Sequence, residues 1–115
     1  MNRILKGEVY LAELSPTIGS EISKKRPVLI VSNDINNQFA DTVSIVPITS
    51  TTAKIYPFEV FLPKGEGNLI NDSKAKCNQI RTIDKQRIQK KFGTISTQKL
   101  KDIEKALLIH LDIEL

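Results

Sequence analysis

Histidine, cysteine and long apolar runs are scarce in this 115-residue chain, and each shortage closes off a class of function. The one histidine, His110, cannot form a two-histidine acid–base pair. It falls near the apolar side of a helical C-terminal pattern and reads as a structural, partly buried residue. The one cysteine, Cys77, can close no internal disulfide and belongs to no Cys/His cluster that would hold zinc; it reads as a small buried apolar side chain. Carboxylates are not spaced for a catalytic metal, and no cofactor is expected. The five glycines form neither a P-loop nor a dinucleotide fingerprint. No serine or cysteine stands in a recognisable motif with a histidine to activate it. No run approaches the length of a membrane helix and the first residues lack the apolar core of a signal peptide, so a cytoplasmic protein is expected.

What is present suits a folded chain: 40% hydrophobic and 26% charged residues over a length that fits one domain, residues 1–115. The net charge of +4 is unevenly placed. Between Lys74 and Lys91 lie Lys74, Lys76, Arg81, Lys85, Arg87, Lys90 and Lys91 against Asp84 alone, and after Lys101 the balance turns acidic. Such a stripe is the footprint of a nucleic-acid binder or, equally, a solvated lysine-rich face.

Two β-branched runs organise the chain: Arg26–Asn33 and Thr42–Thr49, joined by a turn-rich connection that holds a short helical turn at Ile35–Phe39. A connection this short makes them antiparallel neighbours, with the start of the first beside the end of the second. Arg26 and Thr49 then meet at one rim of a sheet. Pro27 keeps Arg26 out of the helical region and is tolerated at a strand start. Gly7–Leu14 alternates with both faces fairly apolar, Ser15–Lys25 reads as a long mobile loop, and Phe58–Leu62 as a strand. Lys74–Ile83 reads as one strand with a bulge near Gln79, and Gln89–Ile95 as the last strand. Ser96 or Thr97 caps a helix with Leu100, Ile103, Leu107 and Leu111 on one face; Leu108 and Ile109 widen that face toward a dimer contact. Short strands, long loops and one terminal helix predict a mainly β fold, a small, strongly bent antiparallel barrel.

With two-histidine, metal and nucleophile chemistries set aside, what remains is a reaction in which the substrate brings its own nucleophile. RNA does so through its 2'-hydroxyl, and an enzyme need only deprotonate it, stabilise the charged phosphorane and protonate the leaving oxygen. Arg26 suits the second task because its guanidinium stays charged and forks onto two phosphate oxygens. Thr49 can donate to the same phosphate. The general base is open between Glu21 and an activated Arg26. Tyr56 and Phe58 flank Pro57; Phe58 reads as core, and Tyr56 either as surface or as a platform for an unpaired base. Gln79 either turns outward at the bulge or hydrogen-bonds a ligand, the second preferred. Arg81 either binds phosphate or pairs with an acid.

Gly7-Glu8-Val9-Tyr10, Leu14-Ser15-Pro16, Gly19-Ser20-Glu21, Lys25-Arg26-Pro27-Val28-Leu29, Ser32-Asn33-Asp34, Pro47-Ile48-Thr49 and Asn78-Gln79-Ile80-Arg81-Thr82-Ile83-Asp84-Lys85-Gln86-Arg87, taken in order, resemble the MazF/PemK toxin family. The resemblance implies an SH3-like barrel that works as a homodimer. Its activity would be sequence-specific, metal-independent cleavage of single-stranded RNA, leaving a 2',3'-cyclic phosphate and a 5'-hydroxyl, silenced by a cognate MazE-like antitoxin. It places Arg26 and Thr49 at the catalytic positions, and Ser20, Glu21 and Gln79 along the RNA groove; Lys25, Tyr56 and Arg81 complete the candidate RNA contacts. Two other readings stand beside it: a gyrase-poisoning toxin of the same fold that cuts nothing, and a plain basic RNA-binding module.

Overall fold

Alternating apolar residues on both faces of a strand require a packed layer on each side, and the first strand has both. The computed structural model describes residues 3–115, in the order β1 (Glu8–Glu13), β2 (Lys25–Ile30), α1 (Asp34–Phe39), β3 (Thr42–Thr49), β4 (Glu59–Leu62), β5 (Ser73–Lys76), β6 (Arg81–Asp84), β7 (Ile88–Thr94) and α2 (Thr97–Leu111). Val9 of β1 packs with Leu29, Val46 and Ile48 in one buried cluster, to which α2 contributes Ile103 and Ala106. Tyr10, Ala12 and Leu14 enter a second cluster with Val28, Ile30, Val43 and Ile45. Period-two alternation thus feeds two cores from β1, β2 and β3.

The described strands pair antiparallel in the order β4-β5-β3-β2-β1-β7, with β6 against the first half of β3. The sheet bends but its hydrogen bonding does not close, so the small antiparallel β architecture with a C-terminal helix is present without a sealed barrel. Lys74–Ile83 is not one bulged strand. A 3-10 turn at Cys77–Gln79 splits it, because β5 pairs Ile48 with Ala75 whereas β6 pairs Ile45 with Arg81. The inserted turn absorbs the change of register along β3. Cys77 is buried in it, as its apolar reading requires.

Ser96 caps α2, its hydroxyl accepting from the Lys99 N–H at 3.2 Å. The apolar face is buried at Ile103 and Ala106 and partly at Leu100 and Leu107, but Ile109 and Leu111 are exposed. His110 is exposed as well, not partly buried as expected, because the last turn of α2 runs past the sheet. Among the described residues no helix is long and apolar enough to cross a membrane.

The segment Ser15–Lys25, expected as a mobile loop, is pinned, and its last residue already belongs to β2. Arg87 Nη1 donates to the carbonyls of Glu13 (3.0 Å) and Ser15 (2.7 Å), and Arg81 Nη1 to that of Leu14 (3.2 Å). At the far end the Lys24 N–H donates to Ser15 Oγ at 2.8 Å. The loop therefore feeds β2 from a fixed position.

Candidate active site

β2 and β3 pair Val28 with Pro47, Leu29 with Val46 and Ile30 with Ile45. Two further steps in that register bring Arg26 opposite Thr49, and both line a single cavity of about 420 Å³. Arg26 is half-buried, and its Nε donates to the Ser23 carbonyl at 3.2 Å. That bond orients the guanidinium while the terminal nitrogens keep their donors for a ligand. Thr49 Oγ1 accepts from the Thr51 N–H at 3.3 Å, leaving its own proton to donate.

The opposite wall is the segment 68–73, with β7 behind it. Gly67 makes that wall possible: at φ +58° its Cα lies so close to β1 that an added Cβ would stand 2.7 Å from Val9 Cγ2. Asn68 then donates from Nδ2 to the Phe92 carbonyl at 2.7 Å, clamping the segment to β7. Leu69, Ile70 and Phe92 give the wall an apolar surface, with Asn71 and Ser73 as its polar points, and Ser50 lines the cavity next to Thr49. No carboxylate or histidine lines the cavity, and Arg26 and Lys90 are its cations. Among the described residues no group of three or more His, Cys, Asp or Glu is placed to hold a metal ion. A bound phosphate would meet positive charge and hydroxyl donors beside an apolar wall fit for a base or ribose.

Most of the basic block Lys74–Lys91 is tied into the fold and forms neither a free stripe nor a solvated face. Lys74 is buried, and its Nζ donates to Glu59 Oε1 at 3.0 Å and to the Lys54 carbonyl at 2.8 Å. Lys76 Nζ donates to Glu59 Oε2 at 3.1 Å. Burial pushes the Glu59 carboxyl up, but the bonds from the Tyr56 N–H, Lys74 and Lys76 together outweigh it and hold the group below its ordinary range. Lys91 reaches Glu8 Oε2 at 2.5 Å, and the balance at Glu8 is the same: burial raises it, and Lys91, the Leu5 N–H and the Tyr10 hydroxyl lower it further. Burial and that carboxylate in turn raise the Tyr10 phenol. Arg81 and Arg87 hold carbonyls of the 15–24 loop and its entry.

A family model described as PemK-like, MazF-like toxin of type II toxin-antitoxin system matches residues 5–111. The chain belongs to this toxin family. The endoribonuclease MazF9 of Mycobacterium tuberculosis (strain ATCC 25618 / H37Rv) is 38% identical over 113 residues, covering 94% of this chain and 96% of that protein. A crystal structure of MazF from Deinococcus radiodurans matches with TM-score 0.86 at 23% identity, over 98% of this chain and 100% of that one. An endoribonuclease from a mycobacterial species, solved in complex with its cognate antitoxin, matches with TM-score 0.81 at 24% identity, over 97% and 98% of the two chains. At these identities the structural matches speak for the fold.

The other sequence-predicted residues of the toxin lie elsewhere. Ser20, Glu21, Gln79 and Arg81 line a second cavity of about 390 Å³. Gln79 is bonded at both ends of its amide: Oε1 accepts from the Ile22 N–H at 2.8 Å and Nε2 donates to the Ser20 carbonyl at 3.3 Å. Glu21 Oε1 accepts from the Ile18 N–H at 2.6 Å, so the carboxylate considered as a base lies outside the Arg26 cavity. Lys25 is exposed on β2, opposite Glu13. Tyr56, 42% exposed, stacks on Phe58 with centroids 5.3 Å apart and 2° between the rings, and Lys54 Nζ stands 4.7 Å from its centroid. Neither ring lines the two cavities described. Sequence reasoning did not single out the wall 68–73 or the cavity's Lys90 and Phe92. The apolar Ile70 inside a polar, Gly- and Asn-rich stretch was a signal for the wall; it is 80% exposed at the cavity rim.

Proposed function

We propose that this toxin is an endoribonuclease that cuts single-stranded RNA in the cytoplasm by attack of the substrate's own 2'-hydroxyl. The observation that carries the reading is the meeting of Arg26 and Thr49, from paired strand ends, at one cavity. The 2'-oxygen bonds to phosphorus, the bond to the 5'-oxygen breaks, and the products are a 2',3'-cyclic phosphate and a 5'-hydroxyl. The Arg26 fork and the Thr49 hydroxyl take up the charge that develops on the phosphorane, where preorganised donors do most for rate. The 2'-proton passes to water and the leaving 5'-oxygen takes its proton from water, no carboxylate or histidine lining the cavity to do either. The 38% identity to a protein named an endoribonuclease supports the same class of reaction.

The active form is read as a homodimer, with Ile109, Leu111 and Ile113 exposed at the end of the chain as apolar surface for a contact. A cognate antitoxin silences it, as the mycobacterial endoribonuclease of similar fold is held with its own. The test is to map the ends left on a defined RNA, with and without chelator, and with deoxyribose at the scissile position. Cleavage that persists in EDTA, stops at the deoxyribose and collapses in Arg26→Ala is expected. Intact cleavage in Arg26→Ala, or uncut RNA from the wild type, would refute it.

A further inference from the structure

We infer that Lys90 is a second phosphate contact of the toxin, binding a phosphate next to the scissile one. The inference rests on the endoribonuclease reading and adds a residue to it. Of the cations between Lys74 and Lys91, Lys74, Lys76 and Lys91 are paired to buried carboxylates, and Arg81 and Arg87 bind backbone carbonyls. Lys85 does not line the cavity, whereas Lys90 does, and it is exposed there with no ion pair among the described residues.

The register fixes its distance from the proposed scissile site. Lys90 pairs with Leu11, and Leu11 with Pro27, the residue after Arg26. Lys90 therefore stands two strand spacings, roughly 10 Å, from the chain at Arg26. Both side chains are long, so a phosphate at Arg26 and its neighbour along an extended strand can be met together. The same cavity carries the apolar surface of Leu69, Ile70 and Phe92, which suits the nucleoside that joins two phosphates. No carboxylate lines the cavity to compete for the ammonium.

The experiment compares wild type, Lys90→Gln and Lys90→Arg on RNAs with one cut site, either all-phosphate or with a single uncharged methylphosphonate on one side of the scissile phosphate. Lys90→Gln is expected to raise KM about tenfold at low salt while kcat stays within twofold, as loss of one charge-assisted contact made equally in ground and transition states requires. The log–log salt slope should flatten by about 0.7, the share of one phosphate on a single strand. One methylphosphonate position should weaken the wild type and Lys90→Arg but leave Lys90→Gln unaffected. An unchanged KM and salt slope in Lys90→Gln, or a methylphosphonate penalty that persists there, would overturn the inference. If the wild type still cuts and Arg26→Ala does not, the endoribonuclease reading survives that result. A wild type that leaves RNA uncut removes both.

Discussion

Replacing Arg26 by lysine keeps the charge of the cavity and removes its geometry, which makes the substitution the sharpest probe of the proposed reaction. The arginine is held by the bond from Nε to the Ser23 carbonyl, and lysine has no donor at that point along its stem. Arg26→Ala removes both charge and fork. Loss of one preorganised donor to a developing oxyanion typically lowers kcat by about 10² to 10³, or roughly 3 to 4 kcal/mol, and the forked arginine belongs at the upper end. Arg26→Lys should fall between, about 10- to 100-fold slower than wild type. Thr49→Ala, which removes one neutral donor, should cost about 10²-fold, the lower end of that range. If the two groups serve one phosphate, the double variant loses less than the product of the two single effects. The assay is single-turnover cleavage of an RNA with one cut site, with the thermal midpoint of each variant measured alongside because Arg26 is half-buried. Arg26→Ala within tenfold of wild type, or strictly multiplicative effects in the double variant, would refute the shared-phosphate geometry.

Three further outcomes follow from the framework. Glu59 has no exposed side-chain surface and its carboxyl is held below its ordinary value of 4.5, so its stabilising effect is full above that value and fades as the pH falls through the lowered one. Glu59→Gln, which leaves Lys74 buried without a counter-charge, should cost about 3 to 5 kcal/mol at pH 7, with the gap from wild type narrowing toward pH 3 in urea titrations; a pH-independent gap would contradict the ion pair. Gly67→Ala should destabilise by roughly 1 to 3 kcal/mol from its left-handed backbone alone and slow cleavage by shifting the cavity wall, whereas an unchanged thermal midpoint would show that the contact with Val9 is relieved at no cost. Cys77, buried and with its thiol pushed up to about 12 by burial and the Glu59 carboxylate, should resist iodoacetamide at pH 8 until the chain is unfolded.

The meeting of Arg26 and Thr49 was legible in the sequence because it depends on one antiparallel pairing with a short connection, and the hydrophobic pattern fixes that register. The two cores were legible in part, through the apolar residues on both faces of β1. The 3-10 turn at Cys77–Gln79 was not, because its cause lies in β3, whose edge serves β5 and β6 in different registers. The wall 68–73 was hidden for a similar reason. Its position follows from the close approach of Gly67 to Val9 and of Asn68 to β7, contacts between segments far apart in the chain. Gln79 shows a third limit: a polar residue breaking an apolar row signals a hydrogen bond, but the row does not say whether the partner is a ligand or, as here, the chain's own loop.

The charge distribution yields to the same reasoning and leads to a measurable difference. Seven cations acting as one stripe would neutralise about seven phosphates and give a log–log salt slope for single-stranded RNA near −5. Most of those cations instead hold the framework: three pair with Glu59 and Glu8, and two fix the loop that leads into β2. Arg26 and Lys90, the cations that line the cavity, would account for a slope of only about −1.4, and exposed Lys25 at the rim could bring it to about −2. Binding of an uncleavable deoxy-substituted RNA across a salt series distinguishes the two cases. A slope near −5 would mean that the paired lysines release their carboxylates to meet RNA. A shallow slope would mean that affinity rests on the cavity's apolar wall and hydroxyl donors, and that the basic block of the sequence serves the fold first.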